Sequence, residues 1–207
     1  MEDKGYLKLE ENQSIYFEHI GDPSQPSFIF LHGGPGLGFN EKDKELFDFS
    51  KCNVIFYDQR GSNRSQPLGD LSANTSSRLV QDLESITKQF NIPKPYLVGG
   101  SWGSTLALLY AMPHPGAVRG MVLRGLFLAD QASRVDFETG KVKDRFPKIW
   151  KRFRNRFKAY PDHQVMEQYH KQILNHSANS EELSLELNLY GGSINAPAMD
   201  TEALVTK

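Results

Sequence analysis

A serine with glycines on both sides, in the run Gly99-Gly100-Ser101-Trp102-Gly103, has the surroundings of a nucleophile. The run follows the apolar segment Tyr96-Leu97-Val98 and precedes a helical pattern that continues to Met112. It therefore reads as strand, sharp turn and helix, the geometry of a nucleophile elbow. Backbone crowds backbone in such a turn, and glycine avoids the clash that a Cβ would make. The turn lifts the Ser101 hydroxyl to the mouth of the helix, whose unpaired N–H groups and partial positive charge favour an anion forming beside it. Two further runs, His32-Gly33-Gly34-Pro35-Gly36 and Asp58-Gln59-Arg60-Gly61-Ser62, each follow an apolar stretch. The glycines of the first can turn N–H groups inward, as an oxyanion hole requires. Asp58 and Arg60 are expected to pair across their turn, and Ser62, Ser65 and Ser104 read as turn or helix-start hydroxyls. The chemistry indicated is acyl transfer through serine, which also needs a base and a carboxylate to orient it.

The elements that must position these groups are legible in the apolar pattern. Residues 28–31 and 54–57 are apolar on both faces and suit strands buried between two helical layers. Residues 6–9 and 15–20 suggest an antiparallel hairpin turning near Glu11-Asn12-Gln13. Leu79, Val80, Leu83, Ile86 and Phe90 share one helical face, with Asn74 or Thr75 as cap and Pro93 and Pro95 barring continuation. A second helix runs from the serine turn toward Pro113 and Pro115, and residues 118–127 suggest another apolar strand. Strand and helix alternate, so the sheet is expected to be mostly parallel and covered on both faces. Ligands in such sheets bind beyond the carboxyl ends of the strands, where Ser101 falls. Near residue 130 the character changes. Residues 1–130 read as this core, and residues 131–207 as a charged helical cap, with Phe146, Trp150, Phe153 and Phe157 at helical spacing and Val165, Met166, Tyr169 and Ile173 after them. The alternation Leu183, Leu185, Leu187, Leu189 fits a strand, whereas Glu181 and Glu182 suit a helix start, so both remain open.

Bulk properties narrow the function classes. The 207 residues carry a net charge of −1, which gives no general attraction for nucleic acid or acidic membranes. No apolar run approaches a membrane span, and the first residues lack the apolar core of a signal peptide. The single cysteine, Cys52, precludes an internal disulfide and reads as a packing residue, and a reducing cytoplasm is the expected compartment. No cluster of cysteine and histidine has metal-ligand spacing. Residues 141–158 hold nine Lys or Arg against one acid. Their apolar stripe marks an amphipathic cap helix with a solvated basic side, so neither a nucleic-acid nor a membrane partner is expected.

The three motifs, taken with Leu123-Arg124-Gly125-Leu126-Phe127, resemble those of the proline iminopeptidase (prolyl aminopeptidase) family of α/β-hydrolases, closely over residues 5–130 and loosely over the cap. The resemblance implies an α/β-hydrolase-type, mostly parallel sheet with helices on both faces and a helical cap. It makes Ser101 the nucleophile and assigns the oxyanion hole to the N–H groups of Gly34 and Trp102. It implies a short peptide with a free N-terminus as substrate, proline as the residue released, and neither cofactor nor metal. In this fold the triad follows the order serine, acid, histidine, which leaves His32 as a loop-orienting residue. His114 ends the nucleophile's own helix, and His163, His170 and His176 fall in the cap pattern. The acid and base are accordingly expected outside this chain, with the last strands of the fold, within roughly 80–120 further residues. The 207-residue chain alone is expected to be inactive. The family holds the peptide amine with cap carboxylates, for which Glu181, Glu182, Glu186 and Asp200 are candidates, although each also reads as a surface charge. Where the family pattern is tryptophan-glutamate-glycine, this chain has Leu189-Tyr190-Gly191-Gly192. Two other readings remain: a hydrolase of esters or lactones on the same fold, and a catalytically inert interaction protein.

Overall fold

Period-two patterning builds the centre of the molecule. The computed structural model describes residues 2–10, 12–130 and 141–195, which fold as two compact units dividing between Ala129 and Asp130. The first unit holds six strands: β1 (Glu2–Lys8), β2 (Ser14–Gly21), β3 (Ser27–Leu31), β4 (Asn53–Tyr57), β5 (Tyr96–Gly100) and β6 (Gly120–Arg124). They form one sheet in the order β1-β2-β4-β3-β5-β6. The expected hairpin is present, with Glu2 opposite Ile20 and Lys8 opposite Ser14, and β2 runs antiparallel to β4. From β4 through β3 and β5 to β6 the strands are parallel. The carboxyl ends of β3, β4 and β5 thus lie at one edge, bringing the three motifs together.

Alternate residues serve alternate faces. Ile29, Leu31, Ile55, Tyr57 and Leu97 are buried on one face with Leu79, Leu83 and Ile86 of α2 (Ser76–Gln89) and Leu106, Ala107 and Tyr110 of α3 (Trp102–Ala111). Thr75, one of the two expected caps, starts α2 by accepting a hydrogen bond from the Arg78 amide. The opposite face carries Phe30, Val54 and Phe56. Among the described residues it is covered by aromatic side chains flanking the short α1 (Glu41–Lys44), and not by a long helix. Phe47 meets Phe56 edge-on with ring centroids 5.4 Å apart, and Phe39 lies equally close. Cys52 is buried in this layer, its thiol donating to the Asp48 carbonyl. The last apolar run also departs from expectation. Only residues 120–124 form strand, and Val122 is 59% exposed, because no described element packs on that part of β6.

The second unit contains α4 (Lys141–Arg145), α5 (Pro147–Asn155), α6 (Asp162–Leu174) and α7 (Ser180–Asn195). Trp150, Phe153, Phe157, Val165, Met166, Tyr169, Leu183 and Tyr190 make its core. The Phe153 ring is stacked between Tyr169 and Tyr190, at centroid distances of 4.3 and 4.0 Å. The leucine alternation resolves as helix: Leu183, Leu187 and Tyr190 fall at i, i+4 and i+7 and pack inward, whereas Leu185 is exposed. Lys148, Lys151 and Arg152 form the solvated side of α5. No helix among the described residues is long and apolar enough to cross a membrane.

Candidate active site

β5 ends at Gly100, α3 begins at Trp102, and Ser101 turns the chain between them at φ 52°, ψ −120°. A non-glycine residue in such backbone stores on the order of 1–3 kcal/mol and persists only where its surroundings dictate it. Here they do. The Ser101 amide donates to the Arg124 carbonyl at 2.9 Å, and the Ser101 carbonyl accepts from both the amide and the hydroxyl of Ser104, at 2.9 and 2.5 Å. A Cβ on Gly99 would stand 2.4 Å from the Gly103 carbonyl oxygen, and one on Gly103 would stand 2.0 Å from that of Leu31. Glycine at both positions is therefore a condition of the turn. The Ser101 side chain is left exposed.

The loop after β3 runs against this turn. An added Cβ on Gly33 would lie 3.6 Å from the Ser101 Cβ, and Gly34 adopts φ +121°, a conformation open to glycine and strained for other residues. His32, only 2% exposed, anchors the loop. Its Nε2 accepts the Gln59 backbone N–H at 2.9 Å, and its Nδ1 lies 2.8 Å from the Gly33 carbonyl oxygen and 3.2 Å from the Gly38 amide nitrogen. Burial holds the His32 pKa below its ordinary 6.5, because the charged imidazolium would be poorly solvated. Its first-neighbour bonds are those of a loop-orienting residue.

The sign of the pH effect follows. The unfolded chain takes up a proton near the ordinary value before the folded one does. The stability associated with His32 is complete above about pH 6.5 and is lost as the pH falls toward the lower folded pKa. In a histidine proton–carbon NMR titration His32 should titrate below its ordinary 6.5. Thermal midpoints should decline over the same acid range, and a His32 midpoint at or above 6.5 would contradict the neutral assignment.

The second loop differs from expectation. Asp58 does not pair with Arg60. Arg64 grips it with two nitrogens, Nε at 2.6 Å from Oδ2 and Nη2 at 3.0 Å from Oδ1. The tight turn from Gln59 to Ser62 sends Arg60 toward α2 and returns Arg64 over Asp58. Arg60 makes its own bidentate pair with Asp82, at 2.7 and 2.6 Å, with both side chains buried. Asp58 and Arg64 also clasp the Phe39 backbone: its amide donates to Asp58 Oδ1 and its carbonyl accepts from Arg64 Nη2, each at 2.9 Å. The guanidinium lies 4.0 Å above the Phe39 ring and 4.4 Å above that of Tyr16. Ser62 and Ser65 donate to the carbonyls of Gln59 and Asp58, and Ser104 to that of Ser101, as turn hydroxyls do. Asp82 was detectable in the sequence as the one acid in the apolar stripe of α2.

Gln59 was not singled out by sequence reasoning, yet it touches both glycine motifs. Its Nε2 donates to the His32 carbonyl and its Oε1 accepts the Trp102 indole N–H, each at 3.0 Å.

The remaining candidates are distributed as follows. Among the described residues no histidine hydrogen-bonds the Ser101 hydroxyl. His19 bonds Asn53 at 2.5 Å, and His114 lies beyond the far end of α3. His163, His170 and His176 belong to the second unit. There Glu182 pairs with Arg156, and Glu186 accepts the Tyr169 hydroxyl at 2.7 Å. Glu181 is exposed, and Asp200 lies outside the described residues.

Comparison with known proteins places this geometry in context. Residues 26–204 match the family model for the alpha/beta hydrolase fold. The proline iminopeptidase of Neisseria meningitidis serogroup A is 40% identical over 167 residues, which is 80% of this chain and 54% of that protein. That of Arabidopsis thaliana is 36% identical over 186 residues, 88% of this chain and 47% of that protein. The chain thus spans about half the length of these relatives. The crystal structure of proline iminopeptidase from Mycobacterium smegmatis superposes with a TM-score of 0.61 at 21% identity, covering 82% of this chain and 60% of that one, a likeness of fold.

Proposed function

The chain belongs to the alpha/beta hydrolase family, and from that premise we propose that it is the N-terminal part of a serine aminopeptidase releasing an N-terminal residue, proline foremost, from short peptides. The observation that carries this reading is Ser101, held at positive φ between β5 and α3 with the glycine loop after β3 beside it. The relatives' shared name supplies the substrate class. Ser101 Oγ attacks the carbonyl carbon of the first residue while a base takes its proton. The N–H groups of Gly34 and Trp102 donate to the oxyanion, each worth on the order of 10²–10³ in rate. The peptide C–N bond then breaks, the base protonates the departing amine, and water hydrolyses the acyl-enzyme. We assign the base and its carboxylate to sequence that the relatives possess beyond this stretch, and residues 131–207 to a helical cap.

The test is turnover of proline anilide against short acyl esters, using the protein as its own organism makes it. Preferential cleavage of the anilide is expected, and none from residues 1–207 alone. Preference for the esters would favour an esterase or lactonase. Turnover of neither by the native protein would favour the inert interaction protein.

A further inference from the structure

Gln59 stands between the two segments to which the proposed function assigns oxyanion donors, and the inference drawn from it rests on that reading. We propose that Gln59 is a positioning residue, a strut whose single amide sets the distance and angle between the Gly34 loop and the Trp102 turn.

Its carboxamide bonds the two segments with its two ends: Nε2 holds the His32 carbonyl, two residues before Gly34, and Oε1 holds the indole of Trp102, each at 3.0 Å. The Gln59 backbone N–H adds a third tie at the His32 imidazole, 2.9 Å away. The amide orientation is determined by its partners, since a carbonyl only accepts and an indole N–H only donates. The side chain is 2% exposed, so water does not compete for these bonds. Residue type follows from the same geometry. Glutamate lacks the donor for His32, leucine lacks both functions, and asparagine is one methylene shorter. Gln59 in turn is held from behind, because its carbonyl accepts the Ser62 hydroxyl at 2.5 Å.

An oxyanion hole works when its donors are fixed where charge will develop, and loss of that fixity raises the barrier without weakening ground-state binding. In the native protein, Gln59→Leu is expected to lower kcat about 10²-fold, the scale of a displacement near 1 Å, with KM little changed. A substrate-like aldehyde, which forms a tetrahedral adduct with serine, should lose affinity by a similar factor while free proline does not. Trp102→Phe keeps the backbone donor and removes the indole N–H, so its effect and that of Gln59→Leu should overlap rather than multiply in the double variant. Gln59→Glu preserves shape, keeps the acceptor for the indole and removes only the donor for His32, and it carries the kcat test should the leucine variant fail to fold. By NMR, the Trp102 indole proton should exchange slowly in the native protein and rapidly in Gln59→Leu, a readout independent of turnover. Unchanged kcat in Gln59→Leu, a loss confined to KM, or an unaltered indole exchange rate would each overturn the strut. Failure of the serine reading is separately visible, as turnover that survives Ser101→Ala.

Discussion

Under the proposed serine mechanism, Ser101→Ala in the native protein is expected to lower kcat for proline anilide by on the order of 10⁶, the scale seen when a nucleophilic serine is lost from its constellation. The substitution is clean because the hydroxyl takes part in no hydrogen bond among the described residues, while the turn is held through the Ser101 backbone. Alanine bears the same positive φ at the same cost as serine, so the fold should be unaffected. Turnover and thermal midpoint should therefore separate: activity vanishes and the midpoint stays. Appreciable activity in a well-folded Ser101→Ala protein would place the nucleophile elsewhere.

Asp82→Ala is expected to produce the largest loss of stability, about 3–5 kcal/mol, the scale of breaking a buried ion pair. Arg60 and Asp82 are 4% and 2% exposed, so water gains little access to the guanidinium in place of the bidentate carboxylate. A typical domain has only about 5–15 kcal/mol in total, so the variant should melt far below the parent. The exposed pair Lys51–Asp48, at 81% and 55%, provides the contrast. Lys51→Ala, which breaks this solvent-screened pair, should change the stability far less. Urea denaturation of both variants measures the difference, and equal midpoints would show that the buried pair is not structurally required. Replacing Arg60 and Asp82 together with apolar residues of similar size should recover much of the loss, because the desolvation cost disappears with the charges.

The elbow was legible because its requirement is steric and falls on glycine: Gly99 and Gly103 stand where Cβ atoms would meet carbonyl oxygens. Periodicity likewise revealed α2 through Leu79, Leu83 and Ile86, and the core of the second unit through Trp150, Phe153 and Phe157. Partner choice was a different matter. Whether Asp58 meets Arg60 or Arg64 depends on the path of one turn, which residue spacing does not encode. Gln59 was equally silent, since an amide in a polar turn carries no sign of what its two ends will hold. The leucines from 183 to 189 left strand and helix open in the sequence, because only part of them faces inward along α7. Val122 shows the converse, an apolar strand residue that is exposed among the described residues.

The amide of Ser101 is held by the carbonyl of Arg124, and Gly103 nests against Leu31. Both partners are remote in sequence. As the polypeptide leaves the ribosome, the serine therefore emerges with an ordinary, relaxed backbone. Its positive-φ turn is held only once strands made before and after it have docked on either side, a non-local event. Under the proposed function, the nucleophile is positioned by tertiary folding and not by the local chain alone.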